Sequence, residues 1–217
     1  MQAPLNNIIV EIDKKWIKNM TDIMRMAEIN PNSKLNPADL VNIMGTVVSV
    51  PRKIQDRMDY NGFSVKDIEI GDTLIFRYDV VFSFTKQDIS EEPVYKNEFF
   101  YKGKSYWRVD IQKAFAVIRD SKIIMLNGYI MVENTTETTN IFLPASMKRI
   151  KEAHTATITH IGRNLTHLQD SGAMPLDTIF FKPGLAQEYQ VNGKKFWILR
   201  QRDIYGKCEP NYANQDN

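Results

Sequence analysis

The stretch "NGKKFWILRQRDI", Asn192–Ile204, decides the fold because the chain carries a near copy of it, "KGKSYWRVDIQKA", at Lys102–Ala114. The two align without a gap: each has a glycine and a lysine, then an aromatic residue, a tryptophan and an aliphatic residue. A glycine-containing turn between two apolar runs is a β-hairpin signal, and Asn-Gly is the stronger of the two turns. The repetition therefore predicts the same aromatic strand in two copies of one β domain.

Three further segments recur in the same order, and each has the pattern of a β-strand. β-branched residues dominate or alternate in them, and turn-forming residues precede the last pair. The number of positions between a residue and its match in the second copy falls along the chain, so the connections between strands are longer in the first copy. Loops tolerate such differences in length. The matched segments are "IIVEI" (8–12) with "YIMVE" (129–133), "GTVVSV" (45–50) with "ATITHI" (156–161), and "IEIGDTLIF" (68–76) with "AMPLDTIFF" (173–181).

Bulk properties place the chain among ordinary globular proteins. Its 217 residues are enough for two domains of about 100 residues. The formal net charge is +2, so no strong field favours nucleic acid or an anionic membrane. Cys208 is the only cysteine, which excludes an intramolecular disulfide. A secretory signal and a membrane-spanning apolar run are both missing. We therefore expect a cytoplasmic or virion protein with no membrane and no nucleic-acid partner.

Catalytic motifs are missing from the sequence as well. It contains no glycine-rich phosphate loop, no dinucleotide fingerprint and no HExxH. His154 and His160 would share a face of one strand, but no third metal ligand stands beside them. Asp72 and Asp177 are interpreted as turn residues ahead of a strand rather than as an acid and a base. We expect no enzyme activity, no cofactor and no metal.

Two connections depart from the strand pattern. Residues 19–33, "NMTDIMRMAEINPNS", offer Thr21 as a helix N-cap and predict one or two helical turns. Residues 146–153, "SMKRIKEA", predict a single turn. Both lie between the first and second matched strands of their copy. The last ten residues, 208–217, are polar and predict a tail.

The order of these segments resembles the GroES co-chaperonin family. Members carry a segment of the type V-x-V-G-D-x-V-x-F, which Ile68–Phe76 matches, and end in a strand followed by D-I-L-A, which Asp203-Ile204 echoes. The resemblance covers nearly the whole chain as two tandem copies. It implies an all-β fold of two small GroES-like β-barrel domains with short helical turns in the loops. The predicted domains are 1–119 and 120–207, followed by the tail at 208–217.

The loop after the first strand is where the resemblance places partner binding. In GroES this loop is mobile and carries a glycine pair and an aliphatic tripeptide that docks on the chaperonin. The second copy has a polar stretch that ends in Ile141, Phe142 and Leu143, without the glycines. The first copy has no matching tripeptide, and its apolar candidates are Ile23, Met24 and Met26.

Two hypotheses of function remain, and both work through protein partners. In the first, the chain is a structural or assembly protein that packs into a homo-oligomer or a larger particle, such as a phage or virus capsid, collar or portal vertex. In the second, it is a co-chaperonin that forms a lid on a chaperonin ring. A GroES-like domain of a dehydrogenase would need a Rossmann partner domain, and the sequence lacks its glycine fingerprint.

The aromatic residues of the two hairpins are expected in the core or in a subunit interface: Trp107, Trp197, Tyr106 and Phe196.

Overall fold

The chain divides into two compact units, Met1–Asn127 and Gly128–Asn217. The structure, a computed structural model, describes residues 1–13, 43–55, 63–81, 96–134, 154–162, 172–181, 183–191 and 194–207. Within these residues the regular elements are β-strands and single 3-10 turns, so the expected all-β class is confirmed. The helical turns predicted at 19–33 and 146–153 and the tail at 208–217 lie outside the described residues.

The first unit is one antiparallel sheet. Its seven described strands lie in the order β4-β5-β1-β2-β3-β6-β7, so β1 lies inside the sheet, between β2 and β5. The strands are β1 Asn7–Glu11, β2 Met44–Ser49, β3 Thr73–Phe76, β4 Glu98–Tyr101, β5 Lys104–Asp110, β6 Ala114–Arg119 and β7 Lys122–Met125.

The described residues of the second unit also form one antiparallel sheet, with six strands in the order β11-β12-β8-β9-β10-β13. Its first strand again lies inside the sheet, between the tryptophan-bearing strand and the second strand. The strands are β8 Tyr129–Asn134, β9 His154–Ile161, β10 Thr178–Phe181, β11 Gln187–Val191, β12 Lys194–Arg200 and β13 Ile204–Lys207.

The two sheets agree in register as well as in order. Val10 lies opposite Trp107 in the first unit, and Val132 lies opposite Trp197 in the second. The register of β1 against β2 shifts just before Val10, and that of β8 against β9 shifts just before Val132. A second shift recurs where β3 meets β6 and where β10 meets β13. The repeated segments thus form matching strands, including their irregularities.

The predicted start of the second domain, residue 120, lies in the β6–β7 turn. Asp120 and Ser121 have positive φ there, and Arg119 pairs with Lys122 across the turn. Because β7 hydrogen-bonds to β6, the first compact unit extends through Asn127. The pairing of β7 with β6 therefore places residues 120–127 in the first compact unit.

Each unit has its own apolar core, lined by alternate residues of its strands. Val10, Leu74 and Trp107 are among the buried residues of the first core. Ile130, Ile158 and Phe181 are among those of the second. Alternation along a strand sends every second side chain inward, which is why the repeated segments carry aliphatic residues at those positions.

The four hairpin aromatics take two kinds of position. Trp107 is 1% exposed in the first core, whereas Trp197 is half-buried and packs edge-on against the ring of Phe181 at 5.5 Å. Tyr106 lies opposite Phe99, with ring centroids 5.9 Å apart. Phe196 is buried and lies opposite Tyr189. Aromatic cross-strand pairs stabilise such hairpins by about 0.2–1 kcal/mol each.

No helix within the described ranges is long and apolar enough to cross a bilayer.

Gly45 of β2 provides a test of the close approach between β1 and β2. A Cβ at this position would lie 3.1 Å from both the Glu11 carbonyl oxygen and the Val10 Cβ. We expect Gly45→Ala to lower the free energy of unfolding by about 1–3 kcal/mol, the usual cost of overpacking. Denaturant titration of the full chain measures the change. Gly184→Ala is the control, because its Cβ meets nothing within 4 Å. Equal midpoints for the two variants would contradict the described packing.

Candidate functional site

The predicted docking residues lie in connections outside the described residues. Ile141, Phe142 and Leu143 fall in the connection from β8 to β9, and Ile23, Met24 and Met26 fall in that from β1 to β2. In each unit the two flanking strands pair antiparallel. Each connection therefore leaves and re-enters its sheet at the same end. This is the position after the first strand that the resemblance indicates.

A turn ahead of β3 and its counterpart ahead of β10 repeat the same hydrogen bonds. Asp72 accepts the Glu69 N–H through Oδ2 at 2.7 Å, and its own N–H and C=O bond to Glu69 and Val47. Asp177 accepts the Met174 N–H through Oδ2, also at 2.7 Å, and its N–H and C=O bond to Met174 and Ile158. An aspartate that accepts a nearby backbone N–H fixes a turn.

In the first unit the turn aspartate is bound by an arginine of β6. Arg119 donates to Asp72 with two nitrogens, Nε at 2.8 Å and Nη2 at 2.7 Å, which is the bidentate geometry of a strong ion pair. Arg119 also donates to Glu69 Oε1 at 2.6 Å. The hydrogen bonds from Arg119 hold the pKa of the Asp72 carboxyl below its usual value, although burial opposes them.

In the second unit the turn aspartate is bound by a lysine of β13. Lys207 Nζ lies 2.7 Å from Asp177 Oδ2 and also donates to the Gly172 carbonyl. This hydrogen bond and the one from the Met174 N–H lower the pKa of Asp177. Both aspartates are therefore anionic near neutral pH, and each accepts a backbone N–H of its own turn. Their contacts agree with the interpretation as turn residues.

The same turns carry exposed apolar side chains that the sequence analysis did not single out. Ile70 precedes Gly71 in the first unit, and Met174 and Leu176 flank Pro175 in the second. Leu176 is 83% exposed and has φ +75°, whereas Gly71, at the matched position, has φ +98°. A leucine in left-handed conformation is strained. The sequence signal for this exposed leucine was the replacement of Gly71 in the first unit by Leu176 at the matched position of the second.

His160 is not part of a metal-binding cluster in the described ranges. No group of three or more His, Cys, Asp or Glu side chains lies close enough to hold a metal ion there. His160 contacts Thr159 Oγ1 through Nδ1 at 3.0 Å. Burial lowers the pKa of His160, which the charge of Glu133 partly offsets. The imidazole is therefore neutral at neutral pH.

One comparison with known proteins bears on the second unit. Residues 122–208 match the family model described as Chaperonin 10 Kd subunit. The match begins at β7, continues through the second unit and ends just after β13. A search of curated proteins finds no match for the chain. This part of the chain is thus similar to the GroES co-chaperonins in sequence and has an all-β fold in keeping with theirs.

The ion pair between Asp72 and Arg119 is expected to stabilise the first unit. The Asp72 side chain is 3% exposed, and hydrogen bonds to charged groups contribute about 1.5–3 kcal/mol. Asp72→Asn should lower the free energy of unfolding by about that much, as measured by denaturant titration. Glu69→Gln is the control: its side chain contacts the same arginine but is 66% exposed, so the expected cost is below about 1 kcal/mol.

The difference between wild type and Asp72→Asn should depend on pH. Because the folded-state pKa of Asp72 is lowered, its charge stabilises the fold above the unfolded pKa, and this contribution disappears as pH falls through the folded pKa. Unfolding midpoints measured from neutral pH into acid should therefore converge. A constant difference at every pH would mean that the charge of Asp72 is not the cause.

Proposed function

We propose that the chain is a co-chaperonin that caps a chaperonin ring. The observation that carries this proposal is the family match across residues 122–208. It favours the lid over the virion-subunit hypothesis, because the matched family is described as a subunit of the chaperonin system. Assembly remains part of the proposal, since a lid must present several docking elements to a ring at once.

The first unit supports the proposal as a second, divergent copy of the same domain. Six of its strands follow the order of the second unit, with both register shifts at corresponding places. The aspartate turn also repeats with the same backbone partners. Independent origins would not be expected to reproduce irregularities as well as order. On this proposal the chain is a tandem pair of GroES-like domains.

The docking element of the lid is assigned to Ile141, Phe142 and Leu143. They stand in the connection after the first strand of the matched unit, where the GroES family carries its aliphatic tripeptide. Three neighbouring apolar residues on one connection suit a shallow apolar groove, because each buried side chain contributes about 1.5–3 kcal/mol. The connection from β1 to β2 lacks such a tripeptide, so one docking element is expected in each chain.

The test is binding of the full chain to a bacterial chaperonin with nucleotide, followed by native mass spectrometry. The variant Ile141→Ser/Phe142→Ser/Leu143→Ser should lose binding by at least 100-fold, since three apolar contacts are removed. Its thermal midpoint should stay that of the wild type. The matched control, Ile23→Ser/Met24→Ser/Met26→Ser, changes the other connection and should still bind. The proposal is overturned if wild type ignores the chaperonin or if the 141–143 variant still binds.

A further inference from the structure

The tip of the β4–β5 hairpin exposes two adjacent aromatic side chains. Phe100 is 70% exposed and Tyr101 is 43% exposed, and both stand at the end of β4, just ahead of the turn. The other aromatic side chains described in the first unit are half-buried or buried. Aromatic residues are enriched at the centres of protein–protein interfaces, where they act as anchors. The hairpin tip therefore has the composition of a contact surface.

The turn between β4 and β5 holds this tip in one shape. Lys102 and Gly103 have φ +49° and +76°, as the two-residue turns that suit β-hairpins require. Tyr101 lies opposite Lys104 across the turn. Lys102 Nζ lies 5.5 Å from the centroid of the Tyr101 ring, which is a cation–π contact. A surface that is already ordered loses little conformational freedom when it binds.

The hairpin tip lies at the end of the first sheet where β1 leaves for its connection to β2. β5 runs antiparallel to β1, with Trp107 opposite Val10, so the beginning of β5 lies beside the end of β1. Lys104 Nζ lies 3.4 Å from Glu11 Oε1 and joins the two strands at this end. The aromatic tip is therefore next to the connection that corresponds to the predicted docking connection of the second unit.

The two units carry different apolar residues in these two places. The second hairpin has Gln190 and Val191 where the first has Phe100 and Tyr101, counted from the residue pair that closes each turn. The connection from β8 to β9 contains the tripeptide 141–143, and the connection from β1 to β2 has no such tripeptide. The aromatic hairpin tip thus belongs to the unit whose connection lacks the tripeptide.

We infer that Phe100 and Tyr101 form a second contact with the chaperonin, through which the first unit docks on an apolar groove of the ring. This inference rests on the proposed function, which supplies the partner, and deepens it by giving the first unit a docking element of its own. The tripeptide 141–143 remains the docking element of the second unit. Two linked elements bind more tightly than one, because the second contact forms within the complex.

The affinity of the full chain for a bacterial chaperonin with nucleotide tests the inference. Phe100→Thr/Tyr101→Thr removes both rings and keeps residues that favour strands. Its dissociation constant should rise about 10-fold or more, because two apolar anchors are lost. Its thermal midpoint should stay that of the wild type, since both side chains are exposed.

Ile70→Thr is the matched control for this variant. Ile70 is 71% exposed, but it lies in the turn ahead of β3, four places from β4 in the sheet order. The control should bind the chaperonin as the wild type does. An unchanged affinity of the Phe100→Thr/Tyr101→Thr variant, or an equal loss in the control, would contradict the inference.

Photo-cross-linking gives a second readout that does not depend on affinity. With p-benzoylphenylalanine in place of Tyr101, irradiation of the complex should link the chain to a chaperonin subunit. The same photo-reactive residue in place of Ile70 should give no such product. A product that joins two copies of this chain instead would mean that the tip binds another lid subunit, which overturns the inference.

The binding results separate this inference from the proposed function. A wild-type chain that ignores the chaperonin overturns both. If the wild type binds and the Phe100→Thr/Tyr101→Thr variant binds equally well, only the hairpin contact is wrong. If that variant loses affinity while the variant of residues 141–143 still binds, only the role of the tripeptide is wrong.

Discussion

The interior position of each unit's first strand is the constraint on which both sheets depend. β1 pairs on one side with β2 and on the other with β5, and Ile8, Ile9 and Val10 are at most 1% exposed. A strand that is buried in this way has no water for its backbone groups, so both neighbours must be in place to satisfy them. β8 is held in the same way between β9 and β12. The tryptophan strand is required because it is one of those neighbours.

Local sequence patterns predict the strands well, but they do not predict contacts between residues far apart in the chain. The repeated segments become β1, β2, β3 and the tryptophan hairpin in one unit and their counterparts in the other, because alternation and turn residues act over a few positions. Arg119 lies 47 residues from Asp72, and no periodicity links them. The docking role of Ile141, Phe142 and Leu143 stays a prediction.

The two aspartate turns show which parts of a repeated structure tolerate change. The backbone bonds of Asp72 and Asp177 are alike, yet the cation that holds each is an arginine from one register position and a lysine from another. The left-handed residue changes as well, from glycine to leucine. Hydrogen bonds at the start of a buried strand leave little freedom, because an unsatisfied buried group costs about 1–3 kcal/mol. The exposed side chains around them can vary.

The order of strands along the chain also affects how the protein folds during synthesis. The seven described strands of the first sheet precede residue 126, and the six described strands of the second follow residue 128, so among the described strands neither sheet waits for a strand from the other. Adjacent domains of one chain are nevertheless prone to misassembly with each other, and the two units here have matching registers. Gly45, packed against Val10 in the first unit, is matched by Ala156 in the second, so the contact between the first two strands differs between the units.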